Sequence, residues 1–167
     1  MRTGGIKWDK ILCRWERVVY NCFMLIGEHS HTLDPKRRLS LPAKFRKELG
    51  RRVVLTHGLD NCLFLYPLKG WERVAEKLGN LSMGQADTRG FNRFMLAGAV
   101  ETEIDQIGRI LIPDFLKEFA GLSTKVIVAG VHSRVEIWDE ARWRVYKKRI
   151  RGQADELAQK LGEVGAI

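Results

Sequence analysis

A chain of 167 residues with 45% hydrophobic and 29% charged residues has the make-up of one domain or two very small ones around a buried core, and excludes a disordered or fibrous polymer. Its net charge of +9 points to a polyanionic partner, nucleic acid or an anionic membrane surface, with a merely basic housekeeping protein as the plain alternative. No apolar run approaches the ~18 residues of a membrane span, and Arg14, Glu16 and Arg17 break up the basic N-terminus, so neither a spanning helix nor a signal peptide is expected.

From residue 24 onward the elements follow one another with clear punctuation. An alternating strand over residues 29–33 leads to the turn Asp34-Pro35-Lys36-Arg37, and a second strand runs to Pro42. Proline suits a first helical turn, and residues 43–49 place apolar side chains at helical spacing before stopping at Gly50. Two strands, 53–58 and 62–67, then precede an amphipathic helix opening at Trp71 and running to Leu78. Residues 81–99 read as a connecting helix with Phe91, Phe94, Met95 and Ala99 on one stripe.

The same order then repeats. Strand 100–104, turn Asp105-Gln106-Ile107-Gly108, a strand to Pro113, helix 114–120 ending at Gly121, strands 126–130 and 135–138, and helix 141–150 make a second unit over residues 100–150, matching a first over 24–80. At an offset of 71, Asp34 matches Asp105, Arg38 matches Arg109 and Pro42 matches Pro113; at 72, Leu63 matches Val135 and Trp71 matches Trp143. The tail, 151–167, reads as helix-permissive and fraying. A single hairpin cannot bury one face alone. The two units are therefore expected to interlock as an α+β pseudo-two-fold, swapped-hairpin barrel whose inward residues include Leu39, Leu41, Val54, Leu63 and Leu65.

The chain holds no convincing catalytic constellation. His29 and His31 alternate on one strand face and stand as a weak metal pair beside the plainer reading of polar strand histidines; His57 and His132 lie apart. Cys13, Cys22 and Cys62 show no ligand spacing, which predicts reduced structural thiols in a cytoplasm. The strongest motif is the repeated Asp-x-x-x-Arg. One reading is purely structural: Asp34 and Asp105 anchor their loops and pair with Arg38 and Arg109. The other is that the loop carries uncompensated cations outward. The first copy has Lys36, Arg37 and Arg38, backed by Lys44, Arg46 and Lys47, whereas the second has only Arg109 before Asp114. Residues 24–80 hold 11 basic against 6 acidic side chains and residues 81–150 hold 11 against 9, so the first copy is the expected nucleic-acid face.

The stretches GEHSHTLDPKRRLSLPAKFR, GLDNCLFLYPLKGWE and LAGAVETEIDQIGRILIP resemble the MraZ family of bacterial transcriptional regulators, over residues 24 to about 150. The resemblance implies two SpoVT/AbrB-like units in one chain and a homo-oligomeric ring. It implies double-stranded DNA as partner, with binding to repeated TGGG-type boxes upstream of the protein's own gene and repression of the division and cell-wall cluster. No cofactor, metal or small-molecule substrate is expected, the location is cytoplasmic and nucleoid-associated, and the alternative is an antitoxin-like scaffold acting through protein contacts. The DNA-binding set is Lys36, Arg37, Arg38, Lys44, Arg46 and Arg109. Where the family's first loop commonly has glycine, this chain has Arg37; a positive φ there costs on the order of 1 kcal/mol.

Relatives of this type start near Met24, which leaves residues 1–23 as an extension. Trp8-Asp9 and Trp15-Glu16 each force TGGGA in the gene, 21 nucleotides apart, close to two turns of B-DNA at about 10.5 bp each. The extension is therefore expected to be a translated operator with Met24 as the start, the alternative being a genuine N-terminal arm.

Overall fold

The computed structural model describes residues 24–166. The expectations for residues 1–23, and Cys13 and Cys22 with them, lie outside the described residues.

The first unit runs β1 (Leu25–Thr32), β2 (Arg38–Ser40), α1 (Ala43–Leu49), β3 (Arg52–His57), β4 (Leu63–Pro67) and α2 (Leu68–Gly79). A connecting α3 (Ala86–Asn92) widens into a π-type segment, Arg93–Ala97. The second unit repeats the pattern as β5 (Val100–Glu103), β6 (Arg109–Leu111), α4 (Asp114–Ala120), β7 (Lys125–His132), β8 (Arg134–Asp139) and α5 (Glu140–Gly152), followed by α6 (Ala154–Glu163). Both short helices occupy the predicted spans, bounded by Pro42 and Pro113 before them and by Gly50 (φ 75°) and Gly121 (φ 57°) after them.

The units interlock. β1 pairs with β7, β3 with β5, β4 with β8 and β2 with β6, all antiparallel. The six-stranded order β1-β7-β8-β4-β3-β5 therefore reads the same backwards once each strand is exchanged for its twin, and the β2·β6 ribbon stands apart as a separate two-stranded sheet. Each turn's flanking strands do not form a long hairpin. In the first copy they share only the Leu33–Leu39 bridge before β2 leaves for the other unit.

Two cores result because the sheet is covered on both faces. One gathers Leu39, Phe45, Leu55, Leu63, Leu65, Ile110, Ile112 and Val128 between sheet, ribbon and the short helices. Leu39 faces Ile110 across the ribbon, both essentially fully buried, and each is stabilising by about 1.5–3 kcal/mol of transfer energy. The second core, with Phe64, Tyr66, Ile127, Trp138, Leu78 and Met95, lies under the longer helices. Strands covered on both faces lose simple alternation. For that reason Val54, expected among the inward residues, is buried on the opposite side: its neighbours Val53 and Leu55 face the first core.

Three further differences have local causes. α2 opens at Leu68 rather than Trp71, because Pro67, in extended conformation, starts the helix one turn earlier. The connecting helix does not run uniformly from 81 to 99: Thr56 Oγ1 donates to the Met95 carbonyl at 2.7 Å and His57 Nδ1 bonds the Phe94 carbonyl at 3.0 Å, so these carbonyls take side-chain partners where the helix widens. The tail, expected to fray, is helical over Ala154–Glu163, with Lys160 paired to Glu156 at 2.6 Å. Among the described residues, no helix is long and apolar enough to cross a membrane.

Candidate nucleic-acid interface

The two Asp-x-x-x-Arg loops share four hydrogen bonds, and the second adds Ile107 N to Asp105 Oδ1 at 3.1 Å. The Asp34 carbonyl accepts from Arg37 N at 2.8 Å and Asp34 N donates to the Arg38 carbonyl at 3.0 Å; in the twin, the Asp105 carbonyl accepts from Gly108 N at 2.9 Å and Asp105 N donates to the Arg109 carbonyl at 2.8 Å. The carboxylates close each loop. Asp34 Oδ1 accepts from Arg38 N at 2.8 Å and Oδ2 from Arg38 Nε at 2.9 Å; Asp105 does the same with Arg109 at 2.8 and 2.9 Å. The backbone amides of Arg38 and Arg109, followed by the guanidinium groups, hold both carboxyls below the usual range. The residue before each arginine is left-handed: Arg37 has φ 60° and Gly108 has φ 84°. Arg37 therefore sits where a hairpin turn prefers glycine, and carries the strain expected of it.

The ribbon displays the arginines. With Leu39 and Ile110 turned inward, Arg38, Ser40, Arg109 and Leu111 face out, Arg38 opposite Leu111 and Ser40 opposite Arg109. The two arginines are thus diagonal neighbours, about 7–8 Å apart at their backbones. Beyond the strands, the ladder continues from Leu41 N to the Gly108 carbonyl and from Ile112 N to the Arg37 carbonyl, both 2.9 Å. Each loop is tied to the other unit's strand.

The loop cations are less uncompensated than expected. Arg38 and Arg109 are engaged by their own aspartates, and Arg37 Nη1 lies 2.6 Å from Asp114 Oδ2, the first residue of α4. Lys36, at the exposed tip, is the loop cation without a carboxylate partner among the described residues. On α1, Lys44 and Lys47 are exposed, whereas Arg46 is half-buried and crosses to the second loop. A Cβ at Gly108 would stand 2.1 Å from Arg46 Nη1, and that nitrogen donates to the Ile107 carbonyl at 3.4 Å. The Asp114 and Gly108 contacts join residues 77 and 62 positions apart, and no spacing rule in the sequence pointed to either.

Among the described residues, the other titratable groups do not gather into a reaction centre. His29 stands edge-on to Phe45 at 5.2 Å, and burial, with the His29 charge next, lowers the pKa of His31. Cys62 is buried, and burial drives its thiol pKa up, away from reactivity. Among the described residues no group of three or more His, Cys, Asp or Glu side chains is placed to hold a metal ion.

Comparison with known proteins matches the MraZ protein family model, described as antitoxin-like, twice along the chain, over residues 24–94 and 95–161. The chain is similar to the transcriptional regulator MraZ of Moorella thermoacetica, 49% identical over 83% of this chain and 96% of that protein. It is similar to the transcriptional regulator MraZ of Caldanaerobacter subterraneus subsp. tengcongensis, 51% identical over 83% and 96%, and to that of Thermoanaerobacter pseudethanolicus, 50% identical over 84% and 99%.

Proposed function

The chain belongs to the MraZ family, and on that premise we propose that it is a DNA-binding transcriptional regulator that represses its own operon, holding repeated TGGG-type boxes with the β2·β6 ribbon. The observation that carries this reading is the outer face of the ribbon, where Arg38 and Arg109 stand as diagonal neighbours with Lys36 at the exposed tip beside them. A two-stranded ribbon is of a size to enter a major groove, and a guanidinium matches the O6/N7 edge of guanine. Arg38, kept in place by Asp34, is the base-reading residue in this proposal; Lys36, Arg37 and Lys44 on or behind the same loop, and Arg46 against the second loop, are assigned to phosphates.

One chain presents few contacts. A homo-oligomeric ring of such chains would engage several boxes together and gain affinity by effective concentration. Division and cell-wall genes downstream of the boxes are the proposed targets, with the protein localised to the nucleoid, and the units over 24–80 and 100–150 act as the two halves of each ribbon.

The test is a gel shift on the gene's upstream region against shuffled DNA of equal length. Preference for the box-containing duplex, lost when the box spacing is changed by half a helical turn, is the expected outcome. Equal binding to both would overturn the proposal in favour of an antitoxin-like scaffold working through protein contacts.

A further inference from the structure

Between α1 and α2 of the first unit lies an open cleft of about 820 Å³. Lys47, Arg51, Arg52, Lys69 and Arg73 line it, all exposed, against the carboxylates of Glu48 and Glu103. Glu103 at 3.5 Å and Glu101 at 2.9 Å partly neutralise Arg51 and Arg52. Lys47, Lys69 and Arg73 have no ion-pair partner among the described residues.

The second unit is an internal control for this cleft. Leu33 N bonds the Thr124 carbonyl at 2.8 Å just as Ile104 N bonds the Arg51 carbonyl at 2.9 Å, so Thr124 and Lys125 stand where Arg51 and Arg52 stand. By the repeat, Glu118, Ala141 and Val145 occupy the places of Lys47, Lys69 and Arg73. Of these five positions only Lys125 is basic in the twin. The fold itself does not require the cations.

The twin also supplies its own anion. Asp139 caps α5, accepting from the amides of Ala141 at 3.0 Å and Arg142 at 3.3 Å. Its equivalent at α2 is Pro67, with nearly the same backbone conformation (φ −63°, ψ 149° against −63° and 136°) and no side-chain cap. In addition, Arg142 crosses to the Ala120 carbonyl at 3.2 Å and lies over Gly121, bridging α5 to the end of α4. Its counterpart in the first unit is Gly70, which leaves the gap unbridged.

We propose that this cleft seats phosphate groups of the DNA backbone beside the bases read by the ribbon, as a sequence-independent hold. Its place in the fold supports that partner: Lys47 follows Arg46, which lies across Gly108, and Glu103 is two residues from Asp105, so the cleft borders the second loop. The inference rests on the DNA-binding reading above and adds a surface outside the loops to it.

Two full-length variants test it, each titrated with box-containing and shuffled duplexes over a range of salt. K69A/R73A is expected to weaken binding to both duplexes by the same factor, to leave their ratio unchanged, and to reduce the salt slope by about 1.8 per engaged subunit, near 0.9 for each lost phosphate contact. Pro67→Asp installs the twin's carboxylate on the same amides. It is expected to raise Tm by N-capping α2 while weakening binding to both duplexes, an outcome that loss of folding cannot imitate. If wild type prefers the box duplex but both variants bind as it does with an unchanged slope, the cleft is not a phosphate site and the ribbon proposal stands. A changed ratio between the duplexes would also overturn it, because a phosphate hold reads no sequence. If wild type shows no preference, the functional reading itself fails.

Discussion

Arg37 and Asp114 meet at 2.6 Å across the boundary between the two units. A cation from the loop of the first copy is thereby held by the opening residue of the second copy's short helix. The contact connects the strained position of the first loop to the other unit, and it takes one positive charge away from the solvent face on which a duplex would lie.

Asp114→Ala should release that charge. Asp114 is exposed and Arg37 half-buried at the surface, so the fold should lose no more than about 1 kcal/mol. DNA affinity should rise on all sequences alike, with the salt slope steeper by about 0.9 per engaged subunit. A salt titration of binding, set beside a urea melt, checks both halves.

Gly108→Ala and Arg37→Gly should differ sharply although the positions are equivalent. At Gly108 a methyl group meets the Arg46 guanidinium and the backbone is at φ 84°, which should cost about 1–2 kcal/mol or more. At Arg37, removing the strain of φ 60° gains about 1 kcal/mol, offset by the greater freedom of glycine in the unfolded chain, about 0.5–1 kcal/mol, and by loss of the Asp114 ion pair, a few tenths of a kcal/mol to about 1. Denaturant midpoints of the two variants should show a clear loss in the first and near neutrality in the second.

Arg38→Ala should abolish preference for box DNA, because the guanidinium, the base contact in the proposed function, is also the clamp on Asp34. Lys36→Ala should weaken box and shuffled DNA to the same extent. Competition gel shifts with the two duplexes separate these outcomes.

The loops should resist acid. Asp34 and Asp105 have lowered pKa values, through the amides of Arg38 and Arg109 before any other cause. A depressed carboxylate stabilises the fold above its unfolded pKa of about 3.9 and loses that contribution as pH falls through the lower folded value. At pH 4.5 the loop amides of Arg38 and Arg109 should therefore keep their native chemical shifts, changing only below about pH 3.9, whereas Asp34→Asn should remove that acid transition from the first loop. NMR titration of the two amides reads this directly.

How much of this was legible before the fold is clearest in particular residues. The spans of α1 and α4 followed from Pro42, Pro113, Gly50 and Gly121, since helix initiation and termination are set by backbone geometry within a few residues. The paired loops followed from Asp34, Arg38, Asp105 and Arg109, because an aspartate that bonds the amide four residues on needs only local chain. Leu68 as the start of α2 was missed although Pro67 carried the signal. The tail reads as helix-permissive but fraying, whereas the helix is continuous over Ala154–Glu163: its apolar residues remain exposed, and amphipathic spacing with no surface to bury it against looks like a fraying end.

By itself the amino-acid order determined the elements, their twofold repetition, the anchoring role of the two aspartates and the family, because each depends on contacts or patterns close along the chain. Only the tertiary structure decided that Arg38 and Arg109 share one face, that Arg37 is bound by Asp114 and Arg46 by the second loop, and that Val54 is buried away from the first core. The physical reason is the exchange of strands: when β2 leaves its own turn to pair with β6, the partners that Arg37, Arg38 and Arg46 gain beyond their own loop come from the other half of the chain, and neither periodicity nor propensity records such a partner.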